Sequence, residues 1–141
     1  MTAARGRITM ITIYGYNVAE GTLTSHTVEE LPGLIETEQI DLWVDLETPT
    51  KEESEILGGV FNFHELAIED CVALDIEEAK IDDYEDYLFL VFHAMFFNSE
   101  KLSFDISEID IFFGEKYVVT YHTKPVPAVN QLRKRLEKSI S

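Results

Sequence analysis

The sequence has a single cysteine and no long hydrophobic run, and both absences restrict the class of protein. Cys71 has no partner in the chain, so an intrachain disulfide is excluded and a reducing, intracellular setting is the simpler interpretation. The longest apolar run covers residues 88–97 and includes His93, whereas a membrane-spanning helix needs about 20 residues. A shorter run at residues 8–14 is rich in β-branched residues, which is typical of a strand and not of a signal peptide. The sequence therefore predicts no transmembrane segment.

Basic residues are also scarce. The 141 residues include 11 lysines and arginines against 27 aspartates and glutamates, which gives a net charge of −16 and a pI near 4.4. This balance argues against a nucleic-acid partner, because phosphate binding needs a basic footprint, and against docking on an anionic membrane. It suits a protein that meets cations or basic partners, or one that needs solubility. The length fits one globular domain that folds without a disulfide or a metal.

Motifs typical of catalytic sites and of metal-binding loops are missing from the sequence. There is no GxSxG, GxGxxG or Walker loop, no HExxH and no EF-hand loop. The histidines, His26, His64, His93 and His122, never stand three or four residues apart, so a transition-metal site would need the fold to gather them. Isolated structural or surface histidines are the simpler interpretation, and Cys71 is interpreted as a small buried hydrophobe, not a nucleophile. We therefore predict that the protein is not an enzyme.

The first half of the chain carries clear strand and helix patterns. Residues 40–46 alternate between apolar and polar, which is typical of a strand with one buried face. Thr50, followed three residues later by Glu53, predicts a capping box that opens a helix ending at the glycines 58–59. The other predicted elements are a strand at 8–16, a short edge strand at 21–27, a short helix at 28–39 with Thr27 as its N-cap, and a helix at 64–73 with Leu66, Ala67 and Cys71 facing inward.

The second half predicts an antiparallel meander followed by a helix. Residues 103–113 alternate strictly, apart from a predicted slip near Ser107 and Glu108. Apolar residues at spacings of three and four predict an amphipathic helix over 129–140, whose bases either complement its C-terminus or face acids of a neighbouring subunit. The remaining elements are strands within 80–97, a hairpin loop at 98–101 and a strand at 117–122. This order predicts helices on both faces of a mixed sheet.

Acidic residues concentrate in residues 65–86, where Lys80 is the only base. Hard divalent cations such as Mg²⁺ and Ca²⁺ take carboxylate oxygens as ligands. The adjacent Glu69 and Asp70 point about 100° apart on a helix, so an ion held there needs another acid from elsewhere. From composition alone, a solvated acidic face is the simpler interpretation of the segment.

Several short motifs occur in a distinctive order. They are W-V-D-L at 43–46 with P-T at 49–50, H-E-L-A-I-E-D at 64–70, the lysine- and tyrosine-containing segment 79–91, the segment 112–120, and V-N-Q-L-R-K-R-L at 129–136. Together they resemble the cytosolic N-terminal domain of CorA-type divalent-cation channels over about residues 10–141. Each motif alone is weak, but their order is specific.

The chain departs from the family pattern in two prolines and in its length. Glu65 and Ala79 stand where the pattern has prolines, which look structural and leave the ligand position untouched. The stalk helix, the two membrane helices and the Gly-Met-Asn motif of such channels are absent, so this chain cannot conduct ions by itself. We expect residues 1–9 to be a leader or non-native residues. We expect 10–141 to be the CorA-like domain, ending at the start of the stalk helix or just before it.

The resemblance implies a three-layer αβα sandwich around a mixed, largely antiparallel sheet, and a regulatory role. It implies that Asp70, with Glu69 beside it, binds a regulatory Mg²⁺ ion, with Co²⁺ as an alternative, and that an acid of a neighbour's stalk completes the site. It implies transport of Mg²⁺, and of Co²⁺ or Ni²⁺, by a homopentamer whose domain lies at the cytoplasmic face of the cell membrane. The isolated domain is expected to be soluble and monomeric or weakly associated.

Three other functions are weighed against this one. A zinc-transporting relative with the same domain layout would differ in pore residues that this chain lacks. A soluble acidic module that docks a basic partner would bind no specific ion, so changing Asp70 would alter only bulk charge. A metal-dependent hydrolase using carboxylates of residues 69–86 would need a nucleophile or base constellation, and the sequence shows none.

Overall fold

The computed structural model describes residues 10–73 and 75–140, which form a seven-stranded sheet with helices on both faces. The strands are β1 (Ile11–Asn17), β2 (Thr22–His26), β3 (Ile40–Glu47), β4 (Lys80–Asp83), β5 (Tyr87–Asn98), β6 (Ser103–Gly114) and β7 (Tyr117–His122). The helices are α1 (Leu31–Glu36), α2 (Lys51–Ser54), α3 (Ile56–Gly59), α4 (Glu65–Val72) and α5 (Pro127–Glu137), with a 3-10 turn at Val28–Glu30 before α1. The predicted leader at residues 1–9 lies outside the described residues.

The sheet has the order β2-β1-β3-β7-β6-β5-β4. The neighbours β3 and β7 run parallel, and the other pairs run antiparallel. Short connections join β5, β6 and β7 into the predicted meander. Because β3 and β7 lie side by side, Asp45 is opposite Thr120, although the two are 75 positions apart in sequence.

The core lies on one face of the sheet, and α5 lies on the other. Alternating strand residues such as Phe89 and Phe112 are fully buried against side chains of α1, α3 and α4, among them Leu57. On the opposite face, Arg133 of α5 reaches the hydroxyl of Thr12 at 3.4 Å. Helices on both faces of a mixed sheet confirm the predicted αβα sandwich.

The predicted helix starts form through local hydrogen bonds. The backbone N–H of Glu53 donates to Thr50 Oγ1 at 3.1 Å, and the backbone N–H of Thr50 donates to Glu53 Oε1 at 2.9 Å, which completes the capping box. The backbone N–H of Thr27 donates to Glu30 Oε1 at 3.0 Å at the start of the 3-10 turn. The elements themselves are shorter than predicted, since the 28–39 helix is a 3-10 turn followed by α1, and the helix after Thr50 is divided into α2 and α3.

The slip predicted in β6 near Ser107 and Glu108 is wrong. All twelve residues of β6 pair with β5 in one unbroken antiparallel register. The strand has no bulge. Its apolar residues therefore shift from one face of the sheet to the other along its length. Phe104 and Ile106 are therefore exposed near the hairpin, while Asp110 is buried further along the same face.

The prediction that Leu66 faces inward is also wrong. Its side chain is 59% exposed, whereas Ala67 and Cys71 are buried as predicted. Ala67 and Cys71 are four residues apart and occupy the same side of α4. Leu66, one position earlier, is turned toward solvent.

We expect Gly114→Ala to lower the free energy of unfolding by about 2 kcal/mol, because it forces a side chain into an occupied space. A Cβ atom at Gly114 would overlap the ring of Tyr117, and that ring packs against Phe61 and Phe63. Urea denaturation measures the change. Gly33→Ala in α1 is the matched control, since a Cβ there meets no atom within 4 Å. That substitution should be neutral or stabilising by up to about 1 kcal/mol, and equal losses in both variants would contradict the packing argument.

Candidate metal centre

The predicted ligands Glu69 and Asp70 lie near the C-terminal end of α4. His64 caps this helix, since its Nδ1 accepts a hydrogen bond from the backbone N–H of Leu66 at 3.1 Å. Glu69 is exposed, and the side chain of Asp70 keeps 24% of its surface exposed. Both carboxylates are therefore reachable from solvent.

Lys80 of β4 is the immediate partner of Asp70. Its Nζ lies 2.6 Å from Asp70 Oδ2 and 3.1 Å from Asp82 Oδ2. The hydrogen bond to Asp70 raises the pKa of Lys80 and outweighs the opposing effect of burial. A charged ammonium group therefore contacts one oxygen of the predicted ligand.

An open depression of about 490 Å³ surrounds this pair. It is lined by Leu66, Glu69, Asp70, Lys80, Asp82, Asp83 and Tyr84. Four carboxylates around one ammonium form an oxygen-rich ligand set of the type that Mg²⁺ accepts. The fold thus places two acids of β4, Asp82 and Asp83, beside the predicted ligands. From the sequence, these two acids were assigned only to a general acidic face.

Residues of the acidic segment 65–86 also make structural hydrogen bonds. The backbone N–H of Glu77 donates to Glu108 Oε1 at 2.6 Å, and the ring of His93 contacts the carbonyl oxygen of Glu77 at 2.7 Å. Asp83 accepts a hydrogen bond from the backbone N–H of Glu85 at 2.8 Å. The segment is therefore not one chelating cluster.

A second group of metal-ligating side chains lies where β3 and β7 pair. Ligand atoms of Asp45, Glu47 and His122 all lie within 4.8 Å of one another. His122 Nε2 is 2.8 Å from Asp45 Oδ1, and its Nδ1 is 2.7 Å from the carbonyl oxygen of Lys124. This group was not predicted, because spacing along the chain carries no signal for a pairing between distant strands. The one available hint was the presence of Asp45 and His122 within two predicted strands.

Two positive groups face the carboxylates of this second cluster. The side chains of Asp45 and His122 have no exposed surface, and that of Glu47 is 19% exposed. Burial lowers the pKa of His122, but the hydrogen bond and charge of Asp45 outweigh this effect, and the pKa is raised overall. Arg133 Nη1 lies 3.6 Å from Asp45 Oδ2, and Nη2 lies 3.8 Å from Glu47 Oε1. The bases of α5 were expected either to complement its C-terminus or to face acids of a neighbouring subunit. Arg133 instead faces acids of its own chain.

Cys71 is a buried thiol beside two acids of β6. Burial, followed by the charge of Asp110, raises the pKa of Cys71 well above its ordinary value. Burial and a hydrogen bond with Glu108 raise the pKa of Asp110 to about 9. A protonated thiol in the core is a poor nucleophile.

The comparison with known protein families gives a clear relationship. Residues 38–140 match the family described as CorA-like Mg²⁺ transporter protein. The chain belongs to this family. The family is one of transporters. This CorA-like chain is 38% identical over 126 residues to the putative metal ion transporter YfjQ of Bacillus subtilis, and the match covers 87% of this chain and 38% of YfjQ. The chain thus spans about two-fifths of the length of that relative.

Solved structures share the fold of the CorA-like chain at low identity. The full-length CmaX protein has a TM-score of 0.75 at 16% identity, over 95% of this chain and 41% of that one. The CorA magnesium transporter of Methanocaldococcus jannaschii has a TM-score of 0.68 at 14% identity, over 94% of this chain and 38% of that one. The ZntB cytoplasmic domain of Vibrio parahaemolyticus has a TM-score of 0.62 at 15% identity, over 94% of this chain and 51% of that one. In the described part of the CorA-like chain, no helix combines the length and apolarity needed to cross a membrane.

Proposed function

We propose that this chain is the cytosolic, Mg²⁺-sensing domain of a CorA-like divalent metal ion transporter that moves Mg²⁺, and also Co²⁺ and Ni²⁺. The observation that carries the proposal is the position of Asp70 and Glu69 on an open acidic surface of a CorA-like domain. The likeness to a putative metal ion transporter supports the transport function. Residues 10–141 would form the domain, up to the stalk helix, on the cytoplasmic face of the membrane.

The proposed sensor acts through charge repulsion between subunits. Asp70, with Glu69 beside it, would hold one side of a regulatory Mg²⁺ ion, and an acid of a neighbouring subunit in a homopentamer would hold the other. Magnesium sites made of carboxylates and water are weak, which suits the sensing of millimolar Mg²⁺. When the ion leaves, the carboxylates repel one another and the interfaces loosen. The net charge of −16 per chain adds to this repulsion.

Lys80 pairs with the carboxylates of the site when no metal ion is bound. Its ammonium group contacts both Asp70 and Asp82, so the carboxylates are neutralised in part before a metal arrives. A divalent ion must compete with this bound charge for Asp70 Oδ2. Competition of this kind lowers the affinity of the site for metal and raises the Mg²⁺ concentration at which it fills.

A zinc transporter is the second candidate for the parent protein. The ZntB cytoplasmic domain has a TM-score of 0.62 to this chain, close to the 0.68 of the CorA magnesium transporter. At 14–15% identity both likenesses describe the fold alone. The transported ion is decided by pore residues, and ion-flux assays of the parent protein with Mg²⁺ and Zn²⁺ would distinguish the two.

Titration of Mg²⁺ into this chain tests the sensor site. We expect weak, saturable binding of Mg²⁺ that Asp70→Asn abolishes, because it removes the ligand charge. We expect Lys80→Gln to bind the ion about tenfold more tightly, because it removes the competing ammonium group. Isothermal titration calorimetry at about 0.15 M salt suppresses nonspecific attraction to the acidic surface.

Asp86→Asn is the matched control, since it removes one exposed acid of the same segment outside the depression. An acidic interaction module without an ion site predicts equal, small effects of Asp70→Asn and Asp86→Asn. That result, or unchanged binding in Lys80→Gln, would contradict the assignment of Asp70 as a ligand.

A further inference from the structure

We infer that Asp45, Glu47 and His122 form a second divalent-cation site, of the Zn²⁺ or Co²⁺ type, between the sheet and α5. The three residues come from β3 and β7, and their ligand atoms lie within 4.8 Å of one another. They lie on the face of the sheet that α5 covers, whereas Asp70 belongs to α4 on the opposite face. The inference is therefore independent of the proposed Mg²⁺ sensor.

The orientation of His122 is that of a metal ligand. Its Nδ1 donates to the carbonyl oxygen of Lys124 at 2.7 Å, because a carbonyl oxygen can only accept. The other nitrogen, Nε2, is thereby directed at Asp45 and lies 2.8 Å from its Oδ1, while Glu47 Oε1 lies 4.0 Å from Nδ1. Histidine ligands commonly donate their second ring N–H to a backbone carbonyl or a carboxylate, which holds the coordinating nitrogen in place. The contact between His122 Nε2 and Asp45 Oδ1 requires a proton between the two atoms. A bound cation takes the place of that proton.

A hydrogen bond holds the carboxylate of Asp45 in place, and both Asp45 and Glu47 keep one oxygen available for a cation. The hydroxyl of Thr120 donates to Asp45 Oδ1 at 2.6 Å, and the indole N–H of Trp43 donates to Thr120 Oγ1 at 3.0 Å. Within the described residues, Asp45 Oδ2 and Glu47 Oε1 are buried and accept no hydrogen bond. A buried carboxylate oxygen without a hydrogen bond is costly. A metal ion bound to both oxygens would remove that cost.

Arg133 supplies the competing positive charge. Its guanidinium nitrogens stand 3.6 Å from Asp45 Oδ2 and 3.8 Å from Glu47 Oε1, which is beyond hydrogen-bond distance. The same group donates hydrogen bonds to Thr12 and Asn130. Its side chain is 22% exposed, so it can move outward when a cation arrives. Once His122 has lost the proton between Nε2 and Asp45 Oδ1, two carboxylates and one guanidinium leave one negative charge unbalanced.

The ligand chemistry selects the class of ion. One imidazole nitrogen with two carboxylate oxygens suits Zn²⁺, Co²⁺ and related transition metals, whereas Mg²⁺ prefers oxygen ligands alone. An open depression of about 580 Å³ leads to Glu47 from solvent, lined by Met10, Thr12, Glu47, Asn130, Arg133, Lys134 and Glu137. The depression therefore brings solvent to Glu47 and Arg133 at the edge of the site, while the side chains of Asp45 and His122 are fully buried.

Visible absorption of Co²⁺ bound to this chain is the first test. We expect a d–d spectrum at micromolar Co²⁺ that Zn²⁺ abolishes and a millimolar excess of Mg²⁺ leaves unchanged. Arg133→Gln should bind Co²⁺ about tenfold more tightly, because it removes the competing cation. Glu47→Gln should weaken binding at least tenfold. Asp70→Asn is the control and should leave the spectrum and affinity unchanged.

Proton NMR gives a readout that needs no substitution in the buried cluster. Paramagnetic Co²⁺ should broaden the ring signals of His122 at the lowest metal concentrations, while those of His64 persist until the metal is in excess. Absence of a d–d spectrum, displacement by Mg²⁺, or weaker binding in Arg133→Gln would overturn the inference. Loss of Co²⁺ binding in Asp70→Asn would assign the ion to the α4 surface instead.

Discussion

Replacing Phe112 with alanine is expected to lower the free energy of unfolding by about 3–5 kcal/mol, the range found when large aromatic side chains are removed from packed cores. Phe112 has no exposed surface, and its ring stacks on Phe63 with the centroids 3.9 Å apart. Phe89 and Tyr87 pack against it with centroids at 4.8 and 5.9 Å. Phe89 and Tyr87 are held in β5 and Phe63 in the loop before α4, so we expect these rings not to close over the cavity that alanine leaves. Urea denaturation measures the loss.

Phe113→Ala is the matched control for this prediction. Phe113 is the next residue of the same strand, its side chain lies on the other face of the sheet, and it is 54% exposed. We expect its replacement to cost less than about 1 kcal/mol, because little buried surface is lost. Similar losses in the two variants would show that the face of β6 assigned to the core is wrong.

Stability is expected to fall as the pH rises from about 5 to 9, and Asp110→Asn should remove much of this dependence. The pKa of Asp110 is raised to about 9 by burial and by its contact with Glu108. In the unfolded chain the same carboxyl titrates near pH 3.9. Between these values the folded state keeps a proton that the unfolded state has lost. The contribution is therefore fully present below about pH 4 and is lost as the pH rises toward 9.

The size of this effect is set by proton linkage. One proton retained on folding changes the free energy of unfolding by at most about 1.4 kcal/mol per pH unit. Urea denaturation at pH 5, 7 and 8.5 gives the slope for the native chain and for Asp110→Asn, and the variant should be the more stable of the two at pH 8.5. Asp41→Asn is the control, because Asp41 is an exposed acid of β3 and should leave the slope unchanged. Identical slopes in the native chain and Asp110→Asn would mean that Asp110 is ionised in the folded protein.

Much of the fold was predictable because it depends on residues close together in sequence. The capping box between Thr50 and Glu53 involves residues three positions apart, and the predicted hydrogen bonds are present. The alternating pattern of residues 40–46 predicted β3, which spans Ile40–Glu47. The order of short motifs predicted the CorA-like family, which the match over residues 38–140 confirms. The assignment of Asp70 and Glu69 as ligands stays a prediction.

The contacts around the charged residues were not predictable in the same way. Lys80 of β4 contacts Asp70 of α4, and the spacing of ten positions does not reveal this contact. Asp110 is buried because β6 continues in register with β5 where the apolar pattern predicted a slip. For Asp110, the pairing of the whole strand outweighs the preference of one side chain.

Whether a feature could be predicted from the sequence depends on how far apart in sequence the interacting residues are. The sequence by itself determined the strands, the helix starts, the acidic character and the family, since these depend on composition and on neighbours a few positions apart. The tertiary structure alone decided that His122 joins Asp45 and Glu47, because the parallel pairing of β3 with β7 brings together residues 75 positions apart. That pairing depends on burial across the entire sheet, and no local pattern in either strand encodes it.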